Sequence, residues 1–195
     1  TVGYATHGML DACTSYGTML FWPFSDARVA WSVISVVDPL FTLPVLGFAV
    51  WAARRRSRFV AFAGVIWGLS VLAIGTWQKH RVLGTVHGAA IAHPSFANGW
   101  VWRVIVDRGD HYEVRARRAG ATLTDCGGDT VAKLNLATDF PDLPSNSQQA
   151  QDIARFTWFS GDAVSRMPNG RIGDIRYALL PSEVEPIWSI GVNPS

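Results

Sequence analysis

The sequence predicts a mainly α-helical membrane domain followed by a small β-rich α+β domain, and three observations carry that prediction. Charge is segregated, with only ten of the 32 charged side chains of this 195-residue chain falling before residue 93. Before that point the chain consists of apolar runs that approach the ~20 residues a helix needs to cross a bilayer; after it the pattern turns to strand-like alternation. Nine tryptophans and a mean hydropathy of +0.16 fit a chain that meets the headgroup region, where Trp is favoured. Residues 1–92 are therefore read as a helical transmembrane domain and residues 93–195 as an extramembrane α+β domain.

Residues 4–22 form a first candidate span, punctuated at its end by Pro23, Ser25 and Asp26. Ser25 or Asp26 can cap a following helix that carries Val29, Trp31, Val33, Ile34 and Val37. Asp38-Pro39 is a capping residue followed by the residue best tolerated in a first turn. The apolar run after it is short. Either 33–53 spans as one helix broken at Pro39 and Pro44, or 26–37 lies at the interface and 39–53 is partly re-entrant. Arg54, Arg55, Arg56 and Arg58 then mark a cytoplasmic loop under the positive-inside rule. A nucleic-acid patch is the competing reading, but a basic knot between two apolar helices and a net charge of +2 argue for no nucleic-acid partner. Residues 59–78 are the cleanest span, without a charge until Lys79, His80 and Arg81; within it Gly64 and Gly68 offer a small-residue packing face. With the arginine loop cytoplasmic, one crossing later the C-terminal domain is extracytoplasmic.

In that domain residues 100–106 and 112–117 read as two strands joined through Arg108-Gly109-Asp110. Residues 138–147 form a proline-rich loop, and Ser147 leads an amphipathic helix with Ile153, Ala154, Phe156 and Phe159 that stops at Gly161. Asn169-Gly170 marks a turn before a strand over 172–180. Cys13 and Cys126 give neither a disulfide framework nor a zinc motif. No nucleophile elbow, P-loop or dinucleotide fingerprint is present, which leaves serine-hydrolase and nucleotide chemistry without support. His80, His87 and His93 read as surface histidines near the interface, and His111 as solvated.

The chemistry-bearing stretch lies near the start. His7 and Asp11 stand four residues apart, so a helix puts them on one face, and an imidazole with a carboxylate suits zinc or a similar divalent metal. A metal with an open position activates its bound water. The same spacing also suits a histidine bonding a neighbouring helix and an aspartate pairing within the bundle. An ionisable residue in a spanning segment is a functional candidate by default, so His7 and Asp11 are taken as metal ligands and Asp11 also as a catalytic group. Thr14 can orient the Asp11 carboxylate or bond back to its own helix. Asp38 is a helix cap or a further catalytic carboxylate. On straight helices it would lie about 10 Å from Asp11 along the membrane normal, too far for one mononuclear site.

The run His7, Asp11, Thr14, Gly17, followed by Trp22-Pro23-Phe24-Ser25 and by residues 37–44 (VDPLFTLP), resembles the YdjM/YbcI family. The similarity continues at residues 98–104 and at 155–160. These are bacterial inner-membrane proteins described as metal-dependent hydrolases, some labelled LexA-binding. The resemblance implies a helical membrane domain with a metal centre, with His7 and Asp11 carried over as ligands and Asp38 as a participant. Family members carry an upstream histidine motif that this chain lacks, so the resemblance also implies a member truncated at its N-terminus. Many have an acidic residue where this chain has Ser32.

The functional expectation is a multi-pass protein of the bacterial inner membrane, acting as a metal-dependent hydrolase on a phosphoester or lipid-linked substrate. The alternative is a non-catalytic membrane anchor presenting residues 93–195 to a regulatory protein partner. The expected partners are thus the lipid bilayer, a lipid-linked or phosphoester substrate, and a regulatory protein.

Overall fold

Two apolar helices joined by a two-residue turn dominate the N-terminal half of the computed structural model, which describes residues 2–192 apart from the side chains of Val2, Tyr4, Ala5 and Asn98. The first of them, α2 (Pro39–Arg55), starts where Asp38 accepts hydrogen bonds from Leu40 N and Phe41 N and Pro39 occupies the first turn. It ends at Arg56, whose φ of 47° turns the chain so that Ser57 N–H reaches Ala52 O at 3.1 Å. Ser57 in turn caps α3 (Arg58–Leu83) through Val60 N.

Pro44 does not break α2. A proline frees the carbonyl four residues back, here Leu40 O. The Trp67 indole of α3 donates to that oxygen at 3.0 Å, which satisfies a backbone group that would be expensive to leave open in an apolar setting. Close packing of the pair rests on the glycines of α3. A side chain at Gly64 would meet Phe48 Cβ at 2.8 Å, and one at Gly68 would meet the Phe41 ring at 3.4 Å. The expected small-residue face is therefore the α2–α3 contact.

Upstream, the expected span over 4–22 is not one helix. α1 (Val2–Ala12) has 11 residues and stops before a run of Thr14, Ser15, Gly17 and Thr18. Gly17 takes φ of 82°, a conformation that no helix accommodates. The helix expected after Asp26 is absent too. Residues 29–34 are not helical, with a left-handed Ser32 and a bend at Ile34 in a stretch whose Val and Ile disfavour helix, and their amides bond to the end of α1 and the turn after it. Thr18 and Val29 exchange two 2.9 Å hydrogen bonds, Trp31 N donates to Ala12 O at 2.7 Å and Val33 N to Cys13 O at 2.9 Å. This segment lies against α3 at Gly75, where an added Cβ would sit 2.1 Å from Val33 O.

Among the described residues α3 is the one helix long and apolar enough to cross a membrane. It has 26 residues, or ~39 Å at 1.5 Å per residue. α2, with 17 residues, stands at the ~17-residue lower limit for a span. The chain thus consists of helices followed by a β-rich region, and the helical part offers one certain-length span rather than three.

The β-rich region contains a four-stranded antiparallel sheet in the order β1 (Ala90–Ser95), β2 (Asn98–Asp107), β3 (His111–Ala119), β4 (Leu123–Ala132). The expected hairpin between β2 and β3 forms, with Gly109 at φ 98° and Arg108 N bonded to His111 O at 3.0 Å. Along β3 Tyr112, Val114 and Ala116 are buried and the residues between them are not. A second sheet joins β5 (Val164–Arg166), β6 (Ile172–Asp174) and β7 (Ser189–Ile190), all antiparallel. The short helix α4 (Leu136–Asp139) opens the proline-rich loop. After it α5 (Gln148–Phe159) begins at the Ser147 cap, as expected, and the chain turns at Gly161 with φ 57°. Ile153 of α5 packs with Val164 and Ile172.

The chain divides into two compact units. One comprises residues up to 85 with 92–102 and 118–123; the other comprises 86–91, 103–117 and the chain from 124 onward. In the first, Arg81 at the end of α3 donates to Gly120 O and Ala121 O at 2.8 and 3.0 Å. In the second, Ile105, Tyr112, Val114, Ala163, Met167 and Ile175 form a core. The strand expected over 172–180 ends at Asp174; beyond it Tyr177 O accepts from Ile187 N at 3.0 Å and Ala178 bridges Pro186.

Candidate functional site

α1 carries His7 and Asp11 at the expected spacing, and both side chains are exposed. The Asp11 carboxylate is held by Thr18, whose hydroxyl donates to Oδ2. Thr14, the residue expected to orient it, instead donates to the Asp11 backbone carbonyl at 2.7 Å, so its hydroxyl ends the helix rather than supporting the carboxylate. Thr18 reaches Asp11 because the turn at Gly17 folds the chain back and the Val29 pairing pins it. No helical periodicity connects positions 11 and 18 through such a turn, so sequence reasoning passed over Thr18.

Asp38 is buried, and its Oδ1 is spent on the α2 cap at 2.9 and 3.1 Å. Its other oxygen faces Gly99, where a Cβ would come within 3.6 Å. The capping alternative thus describes its geometry. Among the described residues no group of three or more His, Cys, Asp and Glu side chains is placed to share a metal ion. A catalytic zinc takes three protein ligands. His7 and Asp11 alone do not fit that set.

A polar contact the sequence did not reveal lies at Ser32 and His93. Both are buried, and Ser32 Oγ stands 3.1 Å from His93 Nδ1. Ser32 holds φ of 48°, a strained conformation for serine, while its amide donates to Thr14 O at 3.1 Å. The surface reading of His93 is therefore corrected, since it sits on β1 beneath residues 29–34; His80 and His87 are exposed as expected. Near it Trp102 donates to Gln78 of α3 at 3.3 Å. These contacts tie His93 of β1 to Ser32 and Trp102 of β2 to α3.

The second unit has its own buried charges. Asp174 is fully buried and accepts from Arg176 Nη2 at 2.6 Å, Arg176 Nε at 2.9 Å and the Trp188 indole at 3.3 Å. Arg103, buried in β2, sends its guanidinium to the carbonyls of Ile175, Pro181 and Glu183. Burial pulls its pKa down to about 10, against the attraction of Asp174 and Glu183, so it stays charged at neutral pH. This arginine ties Ile175, Pro181 and Glu183 to β2. Nothing in the alternating pattern of β2 distinguishes it from a solvent-facing residue.

On the outer face of the same unit, carboxylates are paired with cations. Hydrogen bonds from Arg108 and then Arg115 hold Glu113 below the usual carboxylate range; Lys133 and the Gly109 amide do the same for Asp107. A carboxyl depressed on folding contributes stability above its ordinary pKa of about 4 and loses it as pH falls through the folded value. The urea midpoint of the full chain is therefore expected to drop between pH 6 and pH 3. Glu113→Gln should flatten that drop, and an unchanged slope would show that the network contributes nothing.

No curated protein and no solved structure matches the chain. Residues 1–82, which hold α1, the segment over 29–34, α2 and nearly all of α3, match the YdjM inner membrane protein family. Over that segment the chain is similar to the YdjM inner membrane proteins.

Proposed function

We propose that the chain is a multi-pass anchor of the inner membrane, held there by the α2–α3 hairpin, which presents residues 93–195 outside the cytoplasm to a regulatory protein partner. The observation that carries this reading is the inverted polarity of the hairpin. Leu43 and Leu46 on α2, and Phe59, Phe62, Ile66 and Leu69 on α3, are each more than half exposed, whereas Gly64, Gly68 and Gly75 are buried. In water such surface costs about 25 cal/mol per Å²; in lipid it costs nothing. Charges bracket the apolar length, with Arg54, Arg55, Arg56 and Arg58 at one end and Lys79 and Arg81 at the other. The positive-inside rule assigns the arginine turn to the cytoplasm and the chain after α3 to the opposite side. The two candidate site aspartates also have structural work, Asp11 with Thr18 and Asp38 at the α2 cap, which favours anchoring over catalysis.

The second reading, a metal-dependent hydrolase acting on a phosphoester or lipid-linked substrate with zinc as the metal, draws its support from His7 and Asp11 sharing an exposed face of α1. Two donors do not make its site. One experiment on the full-length protein separates the readings. Cys126 is exposed on β4 and Cys13 is buried, so a membrane-impermeant maleimide is expected to label the chain at Cys126 in cells with a permeabilised outer envelope but an intact inner membrane. Labelling only after lysis overturns the orientation. The same preparation is analysed for metal: stoichiometric zinc that disappears in both His7→Ala and Asp11→Ala replaces the anchor with the hydrolase.

A further inference from the structure

The α2–α3 hairpin leaves one face open as an apolar groove of about 340 Å³. Its floor is Gly64 and Gly68, and its walls include Phe41 and Phe48 of α2 and Leu69 and Leu72 of α3. We infer that this groove binds one anionic phospholipid, with an acyl chain lying between the helices and the phosphate on the arginine turn. The inference rests on the hairpin standing in the membrane.

Length, charge and the state of the glycines all favour that occupant. The α3 lining runs from Ala61 to Leu72. Eleven residues of rise give ~16 Å, close to half of a ~30 Å hydrocarbon core. The groove is thus as deep as one leaflet, and it is the leaflet of the arginines. Ala61 lies three residues from Arg58, about 4.5 Å along the axis, and Ala49 is the α2 residue at the same end. Arg54, Arg55, Arg56 and Arg58 are all exposed, and among the described residues none of them enters an ion pair. An acyl chain in the groove therefore places its headgroup beside four uncompensated guanidinium groups, which match a phosphate diester in planar, bidentate fashion.

A second copy of the chain is the other candidate occupant. The residues that permit helices to approach closely are Gly64 and Gly68, and Phe48 and Phe41 of the same chain already fill that approach. What is left is a channel between side chains, suited to a flexible chain rather than to a helix.

The test is native mass spectrometry of the full-length protein released from vesicles of equal phosphatidylglycerol and phosphatidylcholine. One phosphatidylglycerol is expected to remain bound in preference to phosphatidylcholine. A basic residue near the surface contributes ~1 kcal/mol, about five-fold each, so Arg54→Gln with Arg58→Gln should reduce the preference about twenty-five-fold. Leu69, which lines the groove and is 61% exposed, can be enlarged without disturbing the helix contact; Leu69→Trp is expected to remove bound lipid of either headgroup with unchanged helix content. Equal retention of both lipids, lipid that survives Leu69→Trp, or a dimer that this substitution dissolves each overturns the inference. Membrane fractionation of the same variants keeps the two claims apart. A chain that stays in the membrane without a lipid preference sinks the site alone, and a chain found in the soluble fraction sinks the anchor.

Discussion

Asp174→Ala is expected to destabilise the second unit by about 3–5 kcal/mol, because it leaves a buried guanidinium without its counter-charge. Asp174 is fully buried, and Arg176 reaches it through Nε and Nη2 while also donating to Phe159 O. Removing the carboxylate strands Arg176 and the Trp188 indole together. Arg103 stands close enough to feel the same charge. The loss is a large fraction of the 5–15 kcal/mol by which domains are stable. Asp174→Asn, which keeps an acceptor and the shape, should cost less. Urea unfolding of the full chain, followed by near-ultraviolet circular dichroism, reads both; equal midpoints for wild type and Asp174→Ala would mean that the pair is not buried as described.

The second large effect is at Gly75. Even Gly75→Ala places a methyl group where Val33 O lies 2.1 Å away, and a backbone carbonyl cannot swing aside as a side-chain tip can. The segment over 29–34 must lift off α3, losing its hydrogen-bonded seam with residues 12–18. Overpacking of this kind costs about 1–3 kcal/mol. Gly47→Ala is the matched control, since no atom lies within 4 Å of a Cβ there, and it should be neutral or stabilising by up to ~1 kcal/mol. Thermal unfolding of both variants in detergent decides the matter. Similar melting of Gly75→Ala and Gly47→Ala contradicts the close crossing.

The helix starts at Pro39 and Gln148 were legible because each is announced locally, by Asp38-Pro39 and Ser147. The Arg108-Gly109-Asp110 hairpin was legible for the same reason. What failed was the reading of apolarity as helix. The apolar residues within 4–22 suggest a span, yet the hydroxyls at 14, 15 and 18 and the glycine at 17 redirect the backbone, and residues 29–34 take their hydrogen bonds from α1 and the turn after it instead of from one another. Such pairings are non-local, and no window of sequence contains them. At the candidate site the spacing of His7 and Asp11 was visible, but the hold of Thr18 on Asp11 depends on that same fold-back. His93 looked like a surface histidine because burial by a segment 61 residues away leaves no trace in its neighbours.

The two-residue turn at Arg56 and Ser57 also constrains how the chain is made. A helix of 17 residues with an internal proline is a poor insertion signal by itself, and the turn leaves no slack for it to wait in the lipid while the rest is synthesised. For the proposed hairpin to span, the two helices must leave the translocation machinery as one unit, once α3 has emerged from the ribosome. Threading the four arginines through first would cost about 2.5–3.5 kcal/mol for each at the membrane centre. On the proposed topology the hairpin enters with its open ends leading, and its turn stays on the side where it was translated.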